Sequence, residues 1–157
     1  MAVAASLFAS AAQAACTDTP APNVDWRRCY LDNRDFGAVD LGGANLRDAF
    51  LARSDFSGAN FSEIDGRRAK FVTASLAGAS FDNARLIGAD FTKSDLTGGS
   101  FRGSDLRRAR FFRAVLRDAD FTDARLDGTD FLKADLSGAT WTDGKTVCAE
   151  GSIGQCN

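Results

Sequence analysis

Large apolar side chains recur at every fifth residue from Trp26 to Trp141. Of the 24 positions in this register, 23 hold Leu, Phe or Trp, and the exception is Gly66. The residue two positions before each of them is usually small: it is Ala at 14 sites, and Ser, Gly or Thr at five more. The fold must therefore bury one large and one small side chain from every pentad over most of the chain.

A period of five excludes one long helix and one long strand. An α-helix turns about 100° per residue, so steps of five place successive Leu and Phe side chains on every face. A strand alternates its faces with a period of two, so an odd step points successive large residues to opposite sides. The pattern instead predicts a chain that bends once per pentad and stacks its repeats on their neighbours.

Five segments show the repeat clearly, and they resemble pentapeptide-repeat proteins, whose consensus is A(D/N)LXX. The segments are GANLR (43–47), GANFS (58–62), GADFT (88–92), KADLS (133–137) and GATWT (138–142). The resemblance extends over residues 24–143 and implies an all-β fold, a right-handed quadrilateral β-helix with four pentads per coil. Applied here, it implies a single domain of about six coils. With strands about 4.8 Å apart, the column would be roughly 29 Å tall.

The distribution of Phe and Leu supports four sides. We name each side by its first central residue, so the Leu31 side holds positions 31, 51, 71, 91, 111 and 131. The Leu31 and Leu41 sides are rich in Phe, and from residue 76 onward the Trp26 and Phe36 sides hold only Leu. Ile64 is predicted to fill part of the volume that Gly66 leaves in the core. Glycines two residues after a central position suit corners that need a positive φ.

The ends of the chain differ in composition from the repeats. Residues 1–15 resemble the apolar part of a secretory signal with an A-x-A site at 12–14, although a basic region before them is missing. Residues 16–25 contain both prolines and are predicted to form a strap at the N-terminal end. The β-helix is placed at 26–143, and residues 144–157 are predicted to form a C-terminal cap.

All four cysteines lie at the ends of the repeat region. Four cysteines allow three pairings, but a disulfide needs Cα atoms within about 7 Å, so a bridge from one end of the predicted column to the other is excluded. The sequence therefore predicts the pairs Cys16–Cys29 and Cys148–Cys156. Such bonds favour an exported protein, periplasmic or extracellular, in a bacterium. Two alternatives remain at this stage: lipidation of Cys16, and four free thiols in a cytosolic protein.

The near-neutral net charge of −2 conceals a division between the sides. The Phe36 side has 2 basic and 5 acidic residues, and the Leu41 side has 1 and 6. The Trp26 side has 9 basic and 5 acidic residues, and the Leu31 side has 6 and 3. One adjacent pair of sides therefore sums to −8 and the other to +7. The low overall charge argues against general attraction to nucleic acid, and the chain has no apolar run long enough to span a membrane.

One surface on the basic half is a candidate site for a protein partner or a second copy of the chain. Stacked like charges cost stability, and an outward apolar stripe lowers solubility, so a contact surface would explain both features. Ordinary solvated Arg and Lys stems lying over apolar neighbours are the alternative. The candidate residues are Val72, Phe112 and Leu132 in the stripe, and Arg53, Lys93, Arg113 and Lys133 beside it.

No arrangement of residues in the sequence predicts catalysis, and we expect neither an enzyme nor a cofactor. The chain has no His, which removes the Ser-His-Asp triad and His-based zinc sites. Asp118, Asp120 and Asp123 are interpreted as part of the repeat pattern, because Asp before Leu or Phe is the consensus filling of these repeats. No EF-hand spacing that would indicate a calcium site is present. The predicted function is an exported, non-enzymatic binding or scaffold protein. The alternative comes from the resemblance: some pentapeptide-repeat proteins are acidic mimics of duplex DNA that bind gyrase and confer quinolone resistance.

Overall fold

The chain turns a corner in almost every pentad of residues 16–157, which are the residues that the computed structural model describes. The N–H of nearly every small inward residue donates to the C=O of the preceding central residue, as Ala44 does to Leu41 at 2.9 Å. This closes a β-turn over the two residues between them. Residues 16–157 contain no helix, and their β-bridges are single residues at five-residue intervals from 25 to 140.

Each parallel bridge, from Asp25↔Asn45 to Asp120↔Thr140, joins a residue to the residue 20 positions later. Hydrogen bonds run in both directions along the column. The N–H of Leu41 donates forward to the C=O of Asn60 at 2.8 Å, and the N–H of Asn60 donates back to the C=O of Val39 at 2.9 Å. One turn of the column is therefore 20 residues, which gives four pentads and four sides.

The core consists of side chains stacked from one coil to the next. Phe81 and Phe101 on the Leu41 side are 5.1 Å apart between ring centroids and almost parallel, and both are fully buried. The Leu31 side carries an equivalent stack, in which Phe91 and Phe111 are 4.9 Å apart. The two stacks meet edge to face, with 5.5 Å between the centroids of Phe81 and Phe91. The prediction that Phe81, Phe101 and Phe121 share one buried wall is confirmed.

Gly66 shows how the core tolerates one missing large side chain. A Cβ atom added to Gly66 would lie 2.8 Å from Cδ2 of Leu86 and 3.1 Å from Cδ1 of Ile64. Ile64 is fully buried. These two neighbours occupy the space, as the sequence predicted for Ile64, so even Ala at position 66 would be too large without rearrangement.

The corners require a left-handed backbone whichever residue occupies them. All eight glycines found two residues after a central position have a positive φ, as predicted. Bulkier residues take the same conformation at the other corners, including Arg53, Lys93, Arg113 and Lys133, with φ between 56° and 60°. The fold imposes this geometry on the corners, because residues other than Gly and Asn enter the left-handed region only at a cost.

The N-terminal strap is bonded to the first coil. Cys16 and Cys29 form a disulfide with Cα atoms 5.4 Å apart. The N–H of Asn23 donates to the C=O of Gly42 at 2.9 Å. Under this segment Trp26 is 1% exposed. The predicted leader, residues 1–15, lies outside the described residues.

The C-terminal tail folds back over the last coil in the opposite direction. It forms antiparallel bridges from Asp135 to Ile153 and from Thr140 to Val147, on the Phe36 and Leu41 sides. Cys148 and Cys156 form the second disulfide, with Cα atoms 4.8 Å apart. The two disulfides are thus the two pairs expected from the sequence. On the remaining two sides the last central residues, Leu126 and Phe131, are only partly buried.

Thr73 occupies a corner with φ of 55° although it is β-branched. Its side chain is exposed, so little packing opposes its removal. We expect Thr73→Gly to raise the free energy of unfolding by about 1 kcal/mol. The substitution relieves the strain of the left-handed backbone, and this gain exceeds the cost of a more flexible unfolded chain. Urea denaturation of both proteins measures this difference.

Thr92 provides the matched control, because it lies one residue after its central residue and has no positive φ. Thr92→Gly should lower the free energy of unfolding by about 0.5–1 kcal/mol, the ordinary cost of Gly outside a left-handed corner. Equal destabilisation by both substitutions would show that the corner at Thr73 is not strained.

Asp143 organises the turn into the C-terminal tail and gives it a dependence on pH. Its carboxylate accepts hydrogen bonds from Oγ1 of Thr146 at 2.6 Å and from the N–H groups of Thr146 and Lys145. The Thr146 hydroxyl, followed by these N–H groups, lowers the pKa of Asp143 from 3.8 to about 2. The folded state therefore holds this proton less tightly than the unfolded state, so the stabilisation is present above pH 3.8 and is lost as the pH falls towards 2.

We expect Asp143→Asn to weaken the loss of stability between pH 4 and pH 2, because an amide keeps the acceptor oxygen but does not titrate. Urea midpoints measured across that interval for both proteins test this. Thr146→Val should also flatten the profile, since it removes the hydroxyl donor. Parallel profiles for all three proteins would contradict the assignment.

Candidate partner-binding surface

The arginines of the Trp26 side are mostly paired with carboxylates. Nη2 of Arg67 lies 2.6 Å from Oδ2 of Asp65, and Arg107 binds Asp105 in the same way. In each pair the two residues flank a central residue and both point outward. The hydrogen bond from Arg107 lowers the pKa of Asp105. Asp65 and Asp105 thus compensate the charges of Arg67 and Arg107, a pairing that the Asp-x-Arg spacing could have revealed.

The Leu31 side carries the candidate surface, which is built from two outward columns. The first column follows each central residue by one position and contains the apolar stripe of Ala52, Val72, Phe112 and Leu132. Leu132 is 58% exposed, whereas the other three are half-buried. The stripe is therefore less exposed than the sequence suggested, because the neighbouring columns stand beside it.

The second column holds the cations at the corner positions. The guanidinium carbon of Arg113 lies 5.2 Å from the centroid of the Phe112 ring, a cation–π contact. Nε of Arg53 donates to Oδ1 of Asn33 at 2.8 Å. Lys93, Arg113 and Lys133 come from three successive coils, and none of them forms an ion pair with another residue of 16–157.

Carboxylates near the stripe are used by the backbone. Oδ1 of Asp130 accepts the N–H of Leu132 at 2.9 Å, and Oδ1 of Asp90 accepts the N–H of Thr92 at 3.0 Å. Asp90 also pairs with Arg110, at 3.3 Å. These bonds shape the turns, and they leave Lys93, Arg113 and Lys133 without a carboxylate within 4 Å.

The structure brings five of the seven predicted residues together and places Val72 and Arg53 on earlier coils. Phe112, Arg113, Leu132 and Lys133 lie on adjacent coils, with Lys93 one coil before them. Arg53 is four coils from Lys133, about 19 Å at the spacing of β-strands. Phe112 and Leu132 with their three cations therefore form the compact part of the surface, and we call these five residues the Leu132 surface.

A second exposed feature, Tyr30 stacked on Phe50, was not predicted from the sequence. The ring centroids are 4.5 Å apart and the rings are almost parallel. Tyr30 is 72% exposed, more than any other large apolar or aromatic residue in 16–157. The signal was available, because residues 30 and 50 are 20 positions apart and precede a central residue by one.

The acidic residues of the repeats serve the turns and the ion pairs. Asp120 accepts both the N–H and the hydroxyl of Thr122, and it also pairs with Arg102 at 2.7 Å. Within residues 16–157 no group of three or more Asp, Glu or Cys side chains is placed to hold a metal ion. In the same part of the chain, no helix has the length and apolar character needed to cross a membrane.

Comparison with solved structures found several similar chains. QnrB1, a plasmid-mediated fluoroquinolone resistance protein, is 25% identical over 71% of this chain in one trypsin-treated form, with a TM-score of 0.48; the chain spans 65% of the length of that form. A pentapeptide repeat protein from the Arabidopsis thaliana thylakoid lumen is 24% identical, with 82% and 83% of the two chains covered and a TM-score of 0.48. Rfr23 from the cyanobacterium Cyanothece 51142 is 25% identical, with 74% and 90% covered and a TM-score of 0.49.

A comparison with curated proteins gave no match. The family model described as pentapeptide repeats, in eight copies, matches residues 35–65, 67–108 and 104–140. These ranges include most of the coils described above, and the family implies a right-handed quadrilateral β-helix. The chain therefore belongs to the pentapeptide-repeat family.

Proposed function

We propose that this chain is an exported, non-enzymatic binding protein that contacts a protein partner, or a second copy of itself, through the Leu132 surface. The observation that carries the proposal is the ladder of Lys93, Arg113 and Lys133, which lacks ion pairs within residues 16–157 and stands beside Phe112 and the exposed Leu132. A partner with an acidic rim and an apolar centre would match it.

The energetics of protein interfaces support this choice. Aromatic and Arg side chains contribute much of the binding energy at interfaces, and an apolar contact with a charged rim is their common arrangement. Elsewhere on the basic half several arginines are paired with aspartates, as at Arg67 and Arg107. Three successive cations without such partners cost stability, and binding of an acidic partner would offset that cost.

Export is the second part of the proposal. Two disulfides fit an oxidising compartment, and the signal-like residues 1–15 fit the same destination. In this proposal the leader is followed by a strap at 16–25, six coils at 26–143 and a disulfide-bonded cap at 144–157. A gyrase-binding DNA mimic would instead act in the cytosol, where disulfides are rare.

Replacing both apolar residues of the surface tests the contact. Phe112→Ser with Leu132→Ser should weaken partner capture or self-association by about tenfold or more, since such anchors contribute about 1–2 kcal/mol each. Sedimentation velocity measures self-association, and pull-down from a periplasmic extract measures partner capture.

The control is the double variant Val147→Ser with Ile153→Ser, because both side chains are about as exposed as Leu132 but lie on the C-terminal tail. It should retain the partner. Unchanged sedimentation and capture in the surface variant, or equal losses in both variants, would remove the proposed contact surface.

Locating the mature protein and counting its thiols tests export separately. We expect an oxidised protein outside the cytoplasm, with all four cysteines protected from alkylation until a reductant is added. The expected N-terminus follows the A-x-A site, near Cys16. A cytosolic protein with four reactive thiols would contradict export and would favour the DNA-mimic alternative.

A further inference from the structure

A second groove lies at the N-terminal end of the column, on the corner between the Trp26 and Leu31 sides. Its volume is about 430 Å³, and its lining combines two aromatic rings with three cations and one carboxylate. Its Tyr30 lies about five coils, or roughly 24 Å along the column, from Leu132. The lining residues are Arg28, Tyr30, Asp48, Phe50, Arg68 and Lys70.

One wall of the groove is an aromatic column that ends with an open ring face. Phe50 contacts Tyr30 from the preceding coil, and Nζ of Lys70 from the following coil lies 5.2 Å from its centroid. Phe50 therefore has neighbours on both sides. Tyr30 stacks only on Phe50 within residues 16–157, and its high exposure leaves the other ring face in solvent. A further ring can extend the stack there.

The other wall is a charged column with the same step. Nε and Nη2 of Arg68 donate to the two carboxylate oxygens of Asp48, one coil nearer the N-terminus, at 2.7 and 2.9 Å. Arg28 occupies the equivalent corner two coils before Arg68, is exposed, and has no ion pair within residues 16–157. Asp48 attracts Arg28 only at longer range.

The two columns stand two residues apart along the chain, as Asp48 and Phe50 do. A ligand carboxylate could lie above Arg28 in the way that Asp48 lies above Arg68. A ligand ring could lie above Tyr30 in the way that Tyr30 lies above Phe50. These two ligand groups would then be at the same height on the column. We propose that this groove binds an extended peptide segment of a partner protein that carries Asp or Glu two residues before an aromatic residue.

The backbone at Tyr30 fits the same ligand. In the next coil, the N–H of Phe50 donates to the C=O of Cys29 at 2.8 Å, and the C=O of Phe50 accepts the N–H of Leu31 at 2.7 Å. Neither the N–H nor the C=O of Tyr30 has such a bond within the described part of the chain. A parallel peptide can therefore add to this edge. The middle residue of the peptide would lie above Cys29, whose inward side chain is bonded to Cys16. Gly suits that position because it has no side chain.

Charge favours a partner protein, rather than the chain's own residues, as the source of the bound peptide. Residues 1–15 contain no Asp or Glu and cannot supply the carboxylate for Arg28. The chain's own acidic-x-aromatic segment, Asp48 to Phe50, is fixed within the second coil by the Asp48–Arg68 pair. A second copy would have to unfold to present it.

Titration of the isotope-labelled full chain with the peptide acetyl-Asp-Gly-Phe-amide, followed by amide chemical shifts, tests the proposal. Shift changes should centre on residues 28–30 and 48–50, with a dissociation constant near 1 mM, because a tripeptide gains only one exposed ion pair and one ring contact. Replacing Asp by Asn in the peptide should weaken binding about threefold, and replacing Phe by Ala about tenfold.

Variants of the protein assign the two contacts. Tyr30→Ala and Arg28→Gln should weaken binding by about tenfold and threefold, whereas Tyr30→Phe should retain it. Arg108→Gln is the matched control, because Arg108 shares the column and the left-handed backbone of Arg28 but lies four coils away. The amide spectrum of each variant also shows whether it is folded.

Three results would overturn the proposal: no shift changes in the full chain, equal binding of the Asp and Asn peptides, or shifts centred on Phe112 and Leu132. The last result would assign the peptide to the Leu132 surface. Because the two sites share no residue, failure of the peptide to bind the groove would not affect the test of the Leu132 surface. Failure of the Leu132 surface to bind a partner would likewise not affect the test of the groove.

Discussion

Hydrogen bonds between successive coils are the constraint on which the rest of this structure depends. Each coil donates to the coil ahead and to the coil behind through backbone groups 19 and 21 residues apart. This register holds every fifth side chain inward and aligns equivalent positions into columns 20 residues apart. The ring stacks in the core and the ion pairs on the surface both follow from that alignment. A shift of one residue in a single coil would move a large side chain out of the core.

The corners explain why surface chemistry and backbone strain occur at the same positions. The fold needs a left-handed residue once per pentad, and Gly would be the easiest choice. The Leu31 side instead carries Arg53, Lys93, Arg113 and Lys133 there. Long cationic side chains are thus held at positions where they cost conformational energy. Strain kept at a surface position is reasonable where that side chain has a task outside the fold, which agrees with a role in binding.

The five-residue period was enough to predict the buried residues, because burying large residues at that interval requires a chain that bends once per pentad. The four sides came from the resemblance to the family and were supported by the distribution of Phe and Leu. The roles of Ile64 beside Gly66 and the separate cysteine pairs also followed, since they depend on volume and on distance along the column. The surface was harder to predict. The compensation of Arg67 by Asp65 depends on side-chain conformers, and the open face of Tyr30 depends on where the coils end. The Asp-x-Arg spacing and the 20-residue separation of positions 30 and 50 do mark these residues in the sequence, but the period of the large apolar residues does not.

The C-terminal tail has a consequence for the behaviour of the column at high concentration. A stack of identical coils is in principle endless, and a bare final coil would accept the first coil of another molecule as its continuation. Here the tail pairs antiparallel to the Phe36 and Leu41 sides and is closed on itself by Cys148 and Cys156. An incoming parallel coil could match at most half of that end, so head-to-tail growth into a fibre is interrupted by the molecule's own last residues.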